Sequence, residues 1–178
     1  MRKRLITKII FTILILNIGI TLYSTSVSAS NATDYNFTDE LDEDRVGIGF
    51  TWTAENRTLK ITGIKNSYAM IKLPENSIID IQGDSVNTIA GVYCKGNLLI
   101  KGNDSASLNI TRCDCSTLIG YSSCISVNDT LTIESGNIKI ISNGVGYSMS
   151  QPTYTGVFAK NLIINNGKFE INIGRVTL

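Results

Sequence analysis

Three stretches of this chain repeat one pattern, and that repeat limits the architecture more than any other feature. The first runs Gly91-Val92-Tyr93-Cys94-Lys95-Gly96-Asn97-Leu98-Leu99-Ile100-Lys101-Gly102 and leads into Ser107-Leu108-Asn109-Ile110. The second runs from Ile125 through Leu131-Thr132-Ile133 to Gly136, and on to Asn137-Ile138-Lys139-Ile140. The third runs from Gly156 through Leu162-Ile163-Ile164 to Gly167, and on to Lys168-Phe169-Glu170-Ile171. The central isoleucines, Ile100, Ile133 and Ile164, recur at spacings of 33 and 31 residues. A looser copy precedes them at Ala69–Leu73 and Ser77–Gly83. Periods of this size mark stacked repeats, in which one unit cannot bury its apolar face alone and neighbouring units complete the core.

Each unit reads as short strands with Gly and Asn between them, and no segment carries a helical period long enough for a crossover helix. An all-β fold, a three-sided parallel β-helix (β-solenoid), accommodates this pattern, and a doubly wound sheet does not. Three internal columns are expected. The first pairs Leu98, Leu131 and Leu162, with Ile100, Ile133 and Ile164. The second joins Val92, Ile125 and Val157. The third pairs Leu108, Ile138 and Phe169, with Ile110, Ile140 and Ile171. Gly83, Gly102, Gly136 and Gly167 follow the middle strand, where a sharp turn calls for positive φ. Asn103, Asn137 and Asn165 near that corner suggest side-chain ladders. The stretches 111–123 and 142–155 vary and are expected to form loops at one corner.

Ahead of the repeats, Gly49–Thr53 and Thr58–Gly63 flank a polar turn and read as a hairpin cap. Trp52, the only tryptophan, is expected to plug one end of the core, given the area an indole buries. The chain stops just after a strand at Ile173–Leu178. The domain is therefore short and either truncated there, capped by packing the pattern does not show, or left with an edge for assembly.

The first residues are an address. Arg2, Lys3 and Arg4 precede the apolar run 9–16, and Val27-Ser28-Ala29 supplies small residues at a cleavage site. The expected domains are a signal peptide over 1–29, a flexible acidic leader over 30–45 and the β-helix domain over 46–178. The membrane is then involved only through this segment if it stays uncleaved, and the destination is secreted, extracellular or cell-surface. Without residues 1–29 the charge falls from +1 to −3, which argues against a nucleic-acid partner. There is no His at all, which removes His-dependent nucleophile systems and His-ligated zinc. Export permits disulfides. Of Cys94, Cys113, Cys115 and Cys124, the expected bridge is Cys124 with Cys113 or Cys115, with free thiols the alternative. Asn-x-Ser/Thr sequons begin at Asn31, Asn36, Asn56, Asn103, Asn109 and Asn128, and matter only in a glycosylating host.

The entry Phe50-Thr51-Trp52 … Thr58-Leu59-Lys60-Ile61-Thr62-Gly63, with the Gly-Val-Tyr … Asn-Leu-Leu-Ile-Lys-Gly units after it, resembles a family of exported bacterial β-helix domains described as carbohydrate-binding. The resemblance covers roughly residues 46–173. It implies a pectate-lyase-like right-handed helix that binds extracellular glycans, in some members acidic plant polysaccharide with calcium. Family sites of that kind use clustered acidic residues, whereas the outward middle-strand positions here are read as Asp80, Leu99, Thr132 and Ile163.

The expected function is an exported, non-catalytic polysaccharide-binding module or cell-surface adhesin whose partner is a polysaccharide or cell-wall glycan. Candidate ligand contacts are Asp80, Asp84, Tyr93, Lys101 and Lys139, with the loop aromatics Tyr121, Tyr147 and Tyr154, since tyrosine stacks on sugar faces while its hydroxyl hydrogen-bonds. No cofactor is called for; Ca²⁺ is the one ion the acidic run at residues 39–44 could hold. An enzyme, such as a polysaccharide lyase, would need paired carboxylates or an Arg base beside calcium. The sequence offers only Asp80 with Asp84 and Asp114 with Asp129, so the expectation is no enzyme. A structural protein that self-associates through its uncapped C-terminal coil is the alternative.

Overall fold

A computed structural model describes residues 34–38, 43–112, 115–116, 122–142 and 154–173, the side chains of 115–116, 122, 142, 154 and 173 excepted. The described residues form sixteen strands: β1 (Tyr35–Asn36), β2 (Arg45–Gly47), β3 (Phe50–Thr53), β4 (Thr58–Ile61), β5 (Lys65–Leu73), β6 (Ser77–Ile81), β7 (Val86–Cys94), β8 (Leu98–Gly102), β9 (Ser107–Ile110), β10 (Cys115–Ser116), β11 (Ser122–Val127), β12 (Thr130–Ile133), β13 (Asn137–Ser142), β14 (Tyr154–Phe158), β15 (Asn161–Ile164) and β16 (Lys168–Ile173). No helix occurs among them, and none is long and apolar enough to cross a membrane.

Two sheets share the strands. A seven-stranded mixed sheet runs β15-β12-β8-β6-β4-β3-β2, and a nine-stranded sheet follows β1-β5-β7-β9-β13-β16 with β10, β11 and β14 branching from β7. We call them sheet B and sheet A. From β4 onward every neighbour in sheet B is parallel. The chain alternates between the sheets, so each strand of sheet B lies beside the one from the previous circuit.

The expected rows are in register, but on two sheets rather than three sides, and their last members Leu162, Ile164 and Ile171 are about half exposed. In sheet B, Leu98, Leu131 and Leu162 are Cα partners, as are Ile100, Ile133 and Ile164. In sheet A, Ile125 stands between Val92 and Val157, and Ile138 between Leu108 and Phe169. Ile100, Ile133, Leu131, Val92, Ile125 and Ile110 are all fully buried in one apolar cluster that draws on both sheets. At roughly 25 cal/mol per Å² of apolar area, each contributes on the order of 2 kcal/mol.

The circuit itself is shorter than the repeat suggests. Leu59, Ile79, Ile100, Ile133 and Ile164 occupy one row at separations of 20, 21, 33 and 31 residues. The basic circuit is thus about twenty residues. β7, of nine residues, runs without a break from its pairing with β9 to its pairing with β11, while β5, also of nine, shifts register against it between Asn66 and Met70. In the later repeats eleven residues stand between β9 and β11 and between β13 and β14.

The N-terminal cap is larger than the hairpin read from the sequence. β3 and β4 pair antiparallel as expected, and β2 adds a third strand against β3. Part of the stretch read as a flexible leader is built in: β1 pairs parallel with β5, and Phe37 is buried and stacks on the fully buried Trp52 with ring centroids 4.8 Å apart. Phe50 meets Tyr35 and Phe37 edge-on. A run that is polar on average was read as unstructured, but two aromatics in it suffice to close the core.

Asp34 anchors this segment. Its carboxylate sits 2.6 Å from Lys72 Nζ and accepts the Met70 amide. Burial works to raise its pKa, yet the hydrogen bonds from Lys72 and Met70 and the Lys72 charge outweigh it and hold the group below its ordinary value of 3.8. A depressed folded pKa adds stability above the unfolded value that is lost as pH falls through the folded one. Acidification below about pH 4 is therefore expected to loosen β1. Hydrogen exchange of the Phe37 amide, which donates to Lys72 O, should accelerate there. In Asp34→Asn it should already be fast at neutral pH and change little on acidification.

The turn glycines divide by cause. Gly83, Gly136 and Gly167 adopt positive φ as expected, but Gly102 does not. Gly102 is required for space: a Cβ there would lie 2.9 Å from Ile81 O and 3.0 Å from Ile81 Cβ. The expected ladder of Asn103, Asn137 and Asn165 is absent. Asn103 caps its own turn at Ala106 N, and Asn137 donates to Asp104 O.

Candidate functional site

The described candidate residues fall at five places. Asp80 and Lys101 are Cα partners on sheet B, and Lys60 pairs with Asp80 on its other side. This corrects the row assigned from sequence: Ile78, not Asp80, stands in line with Leu99, Thr132 and Ile163. The error was one of register, since a shift of two keeps a residue on the same face while moving it along the strand. Asp80 is 8 % exposed and accepts a 2.6 Å hydrogen bond from Gln82 Nε2.

Asp84 lies on an exposed turn and accepts from Ser105 Oγ at 2.6 Å. It is not joined with Asp80 as a carboxylate pair, because each is engaged with its own local partner. Tyr93 is on sheet A, where its hydroxyl accepts from Asn128 Nδ2. Lys139 is also on sheet A, 3.2 Å from Glu170, and its hydrogen bond and charge hold the Glu170 carboxyl below the ordinary value. Tyr154 begins β14 opposite Ser122, and only its backbone is described. Tyr121, Tyr147, Asp114 and most of the acidic run fall outside the described residues. Among the described residues no group of three or more Cys, Asp or Glu is placed to hold a metal ion. Cys124 is disulfide-bonded. Cys94 is a free, buried thiol whose pKa burial pushes up, so the partner of Cys124 stays open between Cys113 and Cys115.

The two sheets differ as surfaces. On sheet A, Ser126 lies beside Tyr93 in register and faces away from the core by alternation, yet it is fully buried. Its in-register neighbours Tyr93 and Phe158 on that face are only partly buried. Further along sheet A, Ser107, Asn109, Asn137, Lys139, Lys168 and Glu170 line a groove of about 300 Å³.

Sheet B carries three outward rows that cross the strands. The middle row is Ile78, Leu99, Thr132 and Ile163. On one side runs a polar ladder: Asn97 Nδ2 donates to Asn76 Oδ1, Asn97 Oδ1 accepts from the Thr130 amide, and Asn161 Nδ2 donates to Thr130 Oγ1. On the other side Lys60, Asp80 and Lys101 alternate in sign. Glu134 extends this row, its amide bonding Ile100 O beside Lys101. The middle and polar rows line an open groove of about 380 Å³ formed by Asn76, Ser77, Ile78, Asn97, Leu98, Leu99, Thr130 and Thr132. Asn76 adopts φ 57°, a left-handed conformation that Asn tolerates better than most residues. The sequence holds a signal for this ladder: an Asn or Thr stands two positions before each middle-row residue.

No protein-family model matches the chain, and no curated protein or solved structure matches it either. The resemblance to exported carbohydrate-binding β-helix domains therefore rests on residue pattern.

Proposed function

We propose that the chain is an exported, non-catalytic polysaccharide-binding module or adhesin. It is built on a short right-handed parallel β-helix, and the outer face of sheet B is its binding track. One observation carries this reading: the three rows on that face repeat from strand to strand, with an aliphatic stripe between an amide–hydroxyl ladder and a charge-alternating row. A polymer laid across the strands, spaced about 4.8 Å apart, meets a mainly aliphatic middle row, broken by Thr132, with amides and hydroxyls on one side and charges of alternating sign on the other. Aliphatic side chains suit the C–H faces of sugar rings, and flanking amides, hydroxyls and charges suit their hydroxyls. The parallel register from β4 to β15 and the twenty-residue circuit support the β-helix, and the strong right-handed preference of parallel crossovers supports its hand. The signal-like first 29 residues support export.

A glycan array run with and without Ca²⁺ tests the proposal. Binding to at least one polysaccharide is expected. Leu99→Asp, which sets a charge in the stripe, should weaken it by at least about tenfold, roughly 1.4 kcal/mol. Tyr93→Ala and Lys139→Ala, on sheet A, should leave it unchanged. Binding to none of the arrayed glycans, or turnover of polygalacturonate or glucans lost in Asp80→Ala, would overturn the reading.

A further inference from the structure

The charges on the outer face of sheet B stand in a single row. Lys60, Asp80 and Lys101 are successive Cα partners on β4, β6 and β8, and Glu134 follows beside Lys101 at the end of β12, its amide bonded to Ile100 O. The sign therefore changes at every strand. Thr51 continues the row before Lys60, and Asn165, whose amide bonds Ile133 O, continues it after Glu134. Both are uncharged, so the charged part spans four strands. Neither the middle row nor the polar ladder carries a charge. The sign preference of this face is thus set by one row alone.

These four charges are not consumed by internal pairing. None of them makes an ion pair with another described residue. Asp80 is engaged instead by the neutral Gln82 amide. Lys60 and Glu134 are exposed, and Lys101 is half-buried. Asp80 sits deeper, so it acts on a ligand through its field: an ammonium above it is favoured and a carboxylate is repelled. The backbone register fixes the spacing of all four.

Resting on the reading of this face as a polysaccharide track, we propose that its ligand is a zwitterionic polysaccharide whose carboxylates and ammonium groups alternate from ring to ring. Strands in a sheet lie about 4.8 Å apart, close to the advance per ring of an extended β-linked sugar chain. A uniformly anionic chain gains opposite Lys60 and Lys101 what it loses opposite Asp80 and Glu134, and a uniformly cationic chain does the reverse. A neutral chain gains nothing from the row. Only an alternating chain meets an opposite charge at all four strands. Its own geometry suits the row. Where each ring is turned over relative to the last, a carboxylate at C5 of one ring and an amine at C2 of the next fall on the same edge. That edge can follow the charged row while the ring faces rest on the middle row. The like-charge positions also reject uniform polymers, which is how specificity is gained beyond affinity.

Binding of the full chain to four polymers tests this, in mildly acidic, low-salt solution where sugar amines are protonated. They are hyaluronan stripped of its acetyl groups, which alternates in sign, intact hyaluronan, with a carboxylate on every second ring, polygalacturonate, with one on every ring, and chitosan, with an ammonium on every ring. The stripped hyaluronan should be held about tenfold more tightly than polygalacturonate or chitosan, and more tightly than intact hyaluronan. The differences should shrink as salt is raised. Asp80→Asn with Glu134→Gln should move the preference to polygalacturonate, and Lys60→Gln with Lys101→Gln should move it to chitosan. A preference gained in this way cannot come from loss of folding. Binding to arrayed glycans with no preference for the alternating polymer, or a preference indifferent to both double variants, would overturn this inference and leave the polysaccharide-binding reading standing. Binding to no polysaccharide would overturn both.

Discussion

Ile100→Ala is expected to lower stability by about 3–5 kcal/mol, the upper part of the range for a buried aliphatic. Ile100 stands in the middle of its column, with Ile79 on one side and Ile133 on the other, and all three are fully buried. The void would therefore be lined by two rungs rather than one, and neither can move in without dragging its own backbone pairing. For a chain of this length that corresponds to a melting point lower by about 6–20 °C. Thermal unfolding followed by circular dichroism measures it. Ile163→Ala, an outward residue of β15 that is 45 % exposed, should shift the transition by much less. A similar loss in both variants would mean that the columns do not carry the core. Because each rung contacts only its neighbours, the Ile100 variant should also broaden the transition, as coupling between the two halves weakens.

The second large effect is expected at Phe37. Phe37→Ala should cost about 3–5 kcal/mol, although the residue lies in a segment that reads as polar and acidic. Its ring is the stacked cover of Trp52 and the edge-on partner of Phe50, so its removal opens the end of the core to water. Trp52 is the only tryptophan, so its fluorescence reports the change directly: emission should move to longer wavelength before global unfolding. An unshifted spectrum with unchanged stability would show that residues 34–38 are dispensable.

These two residues also mark where the sequence was informative. The columns through Ile100 were legible because period-two alternation within a strand and recurrence between circuits both pointed to the same residues. The hairpin and the buried Trp52 were legible for a related reason: local alternation and the size of one side chain sufficed. Phe37 was not legible, because β1 has two residues and a strand that short carries no period. Its place is fixed by β5, more than thirty residues later in the chain. The register of Asp80 failed differently. Both Asp80 and Ile78 face outward from sheet B, and only the pairing with β8 tells which of them lines up with Leu99. Of the candidate contacts, Asp80 and Lys101 proved adjacent, while Asp84, Tyr93 and Lys139 lie elsewhere. The polar ladder through Asn97 was missed because Asn next to Gly reads as turn chemistry, and the stacking of one turn upon the next appears only in three dimensions.

The contrast between β7 and the later circuits has a practical consequence. β7 pairs along its length first with β9 and then with β11, whereas eleven residues separate β9 from β11 and β13 from β14, with β10 inside the first of these stretches paired to β11. The columns on either side of these stretches keep their register. Since the entropy of closing a loop grows only slowly with its length, this junction is a natural port for grafting foreign peptides. Gly91, paired with Met70 where β5 shifts register against the unbroken β7, offers the same port unused, where an insert could be displayed without retuning the scaffold.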